Sequence, residues 1–256
     1  ELLFDACGEG KLGLVKVLVS RGVVRVDQIV GGFTALFIVC QNNHYPIANY
    51  LISKGAPVNQ ATALGVTPLL IASVRGHCEI IKLLLSKGSN IDQTDDKGFT
   101  ALHAACQEGH LNAAELLISK GCNLEAKTNE SATPLYIASK YGHCDIIQLL
   151  LELGADIESV LDERGITSIC AAVLNSQGKA VELLIAKGAN WNTLAKLPPS
   201  FQFKTPLQMA EELGGRTEIV EILKAANKRK KKKEYQKIPE FHYLLKLQPN
   251  LLILKH

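Results

Sequence analysis

The sequence predicts an all-α solenoid of about seven stacked helix-turn-helix units, each with a projecting, β-hairpin-like finger. The first observation behind this expectation is a period. Thr34, Thr67, Thr100 and Thr133 stand 33 residues apart, and Thr167 and Thr205 follow at intervals of 34 and 38. The second is that one pattern recurs behind each Thr, as in Thr67-Pro68-Leu69, Ala72, Gly76-His77, Ile80-Ile81, Leu83-Leu84-Leu85 and Gly88. The third is composition: 47% of residues are apolar and only 5% aromatic, which suits a long Leu, Ile and Ala seam between units better than a ball-shaped core.

Within one unit, Thr67 is expected to cap the first helix, Pro68 suits the first helical position, and Gly76 ends the helix. A second helix is expected over about 78 to 87, closed by Gly88 in the left-handed conformation that glycine adopts cheaply. Asp96-Lys97-Gly98 reads as the turn of the finger that leads to the next Thr. No unit can bury its own apolar face, so the units must stack.

In order, the units are expected at 1–29, 30–62, 63–95, 96–128, 129–162, 163–200 and 201–226, with a basic, then apolar, tail at 227–256. Glu1 falls at the Thr position with Leu3, Ala6, Gly10, Leu18 and Gly22 in register, so the chain is expected to be a fragment with more units upstream. The sixth unit is irregular. It has Ser168 in place of Pro and Ser176-Gln177 in place of Gly-His, and an insertion around Leu194 to Ser200 precedes the seventh. In the seventh, which also carries Gly214-Gly215, Glu211 and Lys224 replace the small or apolar side chains found at Cys106 and Ile118, as a terminal cap requires.

These copies carry a family likeness. Thr100-Ala101-Leu102-His103-Ala104-Ala105 with Gly109-His110, and Thr133-Pro134-Leu135 with Gly142-His143, resemble the ankyrin repeat, and the resemblance covers residues 1 to 226. It implies a non-catalytic scaffold or adaptor that holds another protein, or an extended peptide segment, along a concave face built from the finger tips and the exposed ends of the first helices. The alternative is a targeting or regulatory segment of a larger enzyme, of kinase or ubiquitin-ligase type, whose catalytic domain lies outside this chain. Fold alone names no partner.

Mapped onto this sequence, that face has Phe33, Val66 and Phe99 immediately before the Thr, followed by Ala132 and Ile166. At the ends of the first helices it has Gln41 and Asn42, Arg75, Gln107 and Glu108, then Lys140 and Tyr141. Phe, Tyr and Arg are favoured contact residues, so these positions are expected to carry partner recognition.

The period also absorbs residues that by type alone suggest chemistry. His44, His77, His110 and His143 recur at 33 and belong to the Gly-His turn, while Cys7, Cys40 and Cys106 share one repeat position and Cys78 and Cys144 another. His103 stands apart, and a bond to nearby backbone is its expected role. With no phosphate loop, His-Glu-x-x-His or Gly-x-Ser-x-Gly, no catalytic, cofactor or metal residue is assigned, and no enzyme activity is expected. Seven cysteines without a Cys-x-x-Cys pair argue against a disulfide framework or zinc ribbon and for a reducing, intracellular compartment, cytoplasmic or nuclear. The longest apolar stretch, Ile166 to Leu174, is too short and too interrupted to span a membrane.

Charge is divided unevenly. Residues 228 to 256 hold nine Lys or Arg against two Glu, a net +7, and the overall +3 therefore leaves −4 on residues 1 to 227. An acidic body disfavours nucleic acid, leaving only the tail for such a contact. Its basic run, Lys228, Arg229, Lys230, Lys231, Lys232 and Lys233, fits a nuclear-import signal, an acidic-partner contact, a lipid-headgroup patch or a solvated extension of the last helix. Fused to a cytoplasmic reporter, residues 224 to 237 are expected to carry it into the nucleus, and a reporter that stays outside would remove the import reading.

Overall fold

The computed structural model describes residues 2–161, 164–197, 202–213 and 217–236, side chains excepted at 196–197, 202–203 and 231–236. Glu1, residues 198–200, Gly214-Gly215 and the apolar tail from 237 lie outside the described residues. Among those described, fourteen helices form seven consecutive pairs. They are α1 (Leu2–Gly8) with α2 (Leu12–Ser20), α3 (Ala35–Gln41) with α4 (Tyr45–Ser53), α5 (Pro68–Val74) with α6 (Cys78–Ser86), and α7 (Ala101–Glu108) with α8 (Leu111–Ser119). Then follow α9 (Pro134–Tyr141) with α10 (Cys144–Glu152), α11 (Ser168–Leu174) with α12 (Gly178–Ala186), and α13 (Pro206–Glu212) with α14 (Thr217–Gln236).

First helices pack on first helices and second on second along the whole row. The seam is therefore periodic. Leu3, Leu36, Leu69, Leu102, Leu135 and Ile169 repeat on the first helices, and Leu18, Leu51, Leu84, Leu117, Leu150, Leu184 and Leu223 on the second, all of them buried. Each helix start is set locally: the Oγ1 of Thr34, Thr67, Thr100, Thr133 and Thr205 accepts from the backbone N–H three residues on, at 3.1 to 3.4 Å.

The fingers are mostly turns. Two carry a strand ladder, β1 (Ile29–Val30) on β2 (Phe33–Thr34) and β3 (Ala195–Leu197) on β4 (Gln202–Lys204), and a single bridge joins Val160 to Thr167. The third and fourth fingers are closed instead by side chains: Thr62 Oγ1 accepts from Val66 N at 3.2 Å, and Asp95 Oδ1 accepts from both Lys97 N and Phe99 N.

Two hydrogen-bond ladders link successive units, one from the first unit to the fifth and the other from the second to the sixth. In the first, Nε2 of His44, His77, His110 and His143 bonds to the carbonyl of Gly8, Gln41, Val74 and Gln107 in the preceding unit, at 2.9 to 3.2 Å. The glycine of each Gly-His turn is needed twice over. Gly109 sits at φ +77°, and any Cβ there would stand 2.6 Å from His143 of the next unit. In the second ladder, the side chains of Asn59, Asp92, Glu125 and Glu158 accept from the backbone N–H of Asn90, Asn123, Asp156 and Asn190 in the following loop, at 2.7 to 3.0 Å.

His103 is fully buried. Its Nδ1 accepts from Thr100 N at 3.2 Å, so Nε2 carries the proton and donates to the Ala132 carbonyl at 3.0 Å. Burial holds its pKa below the usual imidazole range. The buried thiols shift the other way, with Cys7 and Cys122 pushed up to about 12, so they stay protonated and pack as small apolar groups.

The irregular end is as the sequence indicates. Thr167 makes no capping bond to backbone and donates instead to Cys170 Sγ at 3.5 Å, Ser176 takes the left-handed turn at φ 60°, and Gln177 lies against Gly142 where the other units place histidine. In the seventh pair, Glu211 and Lys224 are exposed and joined at 3.0 Å. One boundary differs from expectation, because α14 continues through the expected junction at 226/227 and carries the basic run as helix.

Replacing Leu84 or Leu117 by Ala is expected to cost about 2 to 5 kcal/mol, read from denaturant unfolding, because each fills the closed seam and leaves a cavity. The neutral burial of His103 also sets a pH dependence. Below about 6.5 the unfolded chain takes up a proton that the native ring refuses, so its stabilisation is whole above that pH and is lost as pH falls toward the lower folded value. The partly buried His77 shifts in the same direction, through burial first and then the nearby Arg75 and His110. The unfolding midpoint should therefore drop on acidification below about 6.5, and His103→Gln should flatten that drop.

Candidate interaction surface

The loop and helix-end residues free of stacking duty form a row along one side of the array. Three central first helices end where the next unit's histidine grips their carbonyl: His77 holds Gln41, His110 holds Val74, and His143 holds Gln107. The adjoining side chains Asn42, Arg75 and Glu108 are exposed, while Gln41 and Gln107 are half-buried. A polar row thus stands on backbone that is latched to its neighbour.

The charged members of this row are available for a partner. Among the described residues neither Arg75 nor Lys140 forms an ion pair, and Glu108 accepts only from its neighbour Gln107, at 2.9 Å. Tyr141 is 43% exposed, with its ring stacked at 6.4 Å on His143 and Lys140 Nζ 5.6 Å from its centroid. Its ring is pre-positioned.

The row before the Thr is less uniform than the sequence suggests. Phe33 is 40% exposed and rests on Phe37 at 5.0 Å. Phe99 is only half-buried surface: its ring packs on the core and lies 5.5 Å from His103, so it is partly a structural residue. Val66 is half-buried, and Ala132 and Ile166 are buried outright. Ala132 is small and its carbonyl accepts from the buried His103 ring, while the Ile166 side chain packs into the core.

Sequence reading also passed over two exposed apolar side chains. Leu64 is 70% and Ile29 52% exposed, on the tips of neighbouring fingers. Residues 28–34 and 60–66 contain no charge, whereas the fourth finger has Asp95, Asp96 and Lys97. That charge-free spacing was the available signal. With Phe33, these residues make one end of the row apolar and leave the middle charged.

Of the basic run, Lys228, Arg229 and Lys230 are exposed on α14, while the side chains of Lys231, Lys232 and Lys233 lie outside the described residues. Among the described residues no three His, Cys, Asp or Glu come together as a metal-binding group, and no helix is long and apolar enough to cross a membrane.

Comparison with known proteins agrees with this geometry. The family model described as "Ankyrin repeats (3 copies)" matches residues 3–95 and 86–160. Among solved structures, the crystal structure of the human ASB11 ankyrin repeat domain superposes with a TM-score of 0.76 at 26% identity, covering 88% of this chain and 97% of that one. No curated protein matches the sequence.

Proposed function

The chain belongs to the ankyrin-repeat family, and on that premise we propose that it is a non-catalytic scaffold or adaptor holding an extended segment of a partner protein along its first-helix ends and fingers. Ankyrin repeats are general protein-protein interaction modules. The observation that carries the reading to these residues is the row itself: among the described residues Arg75, Glu108 and Lys140 have no ion-pair partner, the backbone beside Arg75 and Glu108 is held by the histidine ladder, and Lys140 lies over the Tyr141 ring. A rigid row of this kind loses little entropy when a partner binds. The apolar tips around Ile29, Phe33 and Leu64 would take an uncharged part of the same segment. Seven free thiols suit a reducing compartment, so cytoplasm and nucleus are the proposed locations.

Capture of a partner on residues 1–256, followed by variants measured for affinity and melting together, tests the reading. Tyr141→Ala is expected to cost on the order of 2 kcal/mol of binding with little change in melting. Phe99→Ala should cost both binding and stability, since its ring also supports the core. Arg75→Ala and Lys140→Ala should act mainly on the association rate. If these variants bind like the parent while Lys82→Ala or Glu115→Ala, on the second helices, abolishes binding, the row is not the site.

A further inference from the structure

The first six second helices stop in one way. Four residues after the buried Leu18, Leu51, Leu84, Leu117, Leu150 and Leu184 stand Gly22, Gly55, Gly88, Gly121, Gly154 and Gly188, all in the left-handed region with φ between 67° and 100°. In the seventh unit the residue four after Leu223 is Asn227, and the helix does not stop. α14 therefore runs for 20 residues where α12 has nine.

A second substitution matches the first. Val58, Ile91, Leu124 and Ile157 are half-buried three residues after the glycines that stop their helices, and at the same place after Gly188 the chain puts its single tryptophan, Trp191. Trp191 Nε1 donates to Asn227 Oδ1 at 2.8 Å, and Lys230 Nζ lies 5.7 Å from the centroid of the indole ring. The helix stop is gone, and the neighbouring loop holds the helix that results. Electrostatics favour the helix at its start, where Glu218 stands in the first turn of α14, at the pole of the helix dipole that stabilises a negative charge.

We propose that the end of α14 is a rigid basic peg that docks an acidic, Asp/Glu-rich segment of a protein, a contact separate from the row described above. Lys228 and Arg229 are exposed and have no ion-pair partner among the described residues, and Lys231, Lys232 and Lys233 add three more like charges on the same helix. Like charges at this spacing repel along a helix, and an acidic partner relieves that repulsion. The six-residue run rises only about 9 Å, while the body before it, residues 1 to 227, has a net charge of −4. A short acidic segment matches the peg, whereas a long duplex or an anionic membrane would also meet the like-signed body.

The test uses the chain of residues 1–256 with a short, dye-labelled Asp/Glu-rich peptide, a DNA duplex and phosphatidylserine vesicles as alternative probes. Trp191, as the single tryptophan, reports on the peg through its own emission. The peptide should bind saturably, weaken as salt rises and shift that emission. The Lys228→Glu/Arg229→Glu double variant should lose about tenfold or more in affinity. Asn227→Gly, which restores the stop, and Trp191→Phe, which removes the N–H bonded to Asn227, should each weaken peptide binding measured by anisotropy, while Tyr141→Ala should leave it unchanged. Peptide affinity indifferent to the charge reversal and to Asn227→Gly, or tighter binding of the duplex or the vesicles than of the peptide, would overturn the proposal.

Discussion

A helix pair of this chain carries apolar side chains on both flanks, and only another pair in the same register can cover them. Leu84 is closed off by neighbours before and after it in the row, and so are Leu51 and Leu117. Register is held at two edges at once. The histidine ladder ties the ends of the first four first helices to the unit after them, and the Asn, Asp and Glu ladder ties four loops to the loop that follows. Sliding one unit against the next would break both ladders and open the seam, so the units hold or fail with their neighbours.

The same constraint divides the residues into two kinds. Those that stack are repeated with little variation, and those that do not are free to differ from copy to copy. Arg75, Glu108 and Tyr141 all lie at the ends of first helices, yet they differ in charge and shape because nothing in the stack depends on their side chains. The backbone beside Arg75 and Glu108, however, is gripped by the ladder through the carbonyls of Val74 and Gln107. Diversity of side chain on uniform backbone is what a recognition surface needs, and here it follows from the stacking itself.

The end of the array shows how local changes alter the rule. Loss of the Gly at 227 and the appearance of Trp191 one loop earlier turn a stop into an extension, and the six cations follow on the helix so produced. Glu211 and Lys224, which would be unfavourable inside the seam, pair with each other on the outer face. The termination of the stack and the presentation of positive charge thus come from the same few residues.

The 33-residue period, the Thr caps, the left-handed glycines and the Leu and Ile seam were all legible in the sequence, because each depends on residues within one turn or one period of itself. Tertiary structure alone decided the rest. Ala132 and Ile166 share the repeat position of the exposed Phe33 yet are buried, because burial there depends on which neighbours each side chain meets in the core. Phe99 became half structural through a ring contact with His103, and Leu64 and Ile29 emerged as the most exposed apolar groups of their fingers. Asn227 falls at an expected junction in the sequence, and only the tertiary structure pairs it with the indole of Trp191, 36 residues earlier in the chain. Periodicity specifies which side chains recur, whereas exposure and long-range partners depend on the distances between units, which no single repeat contains.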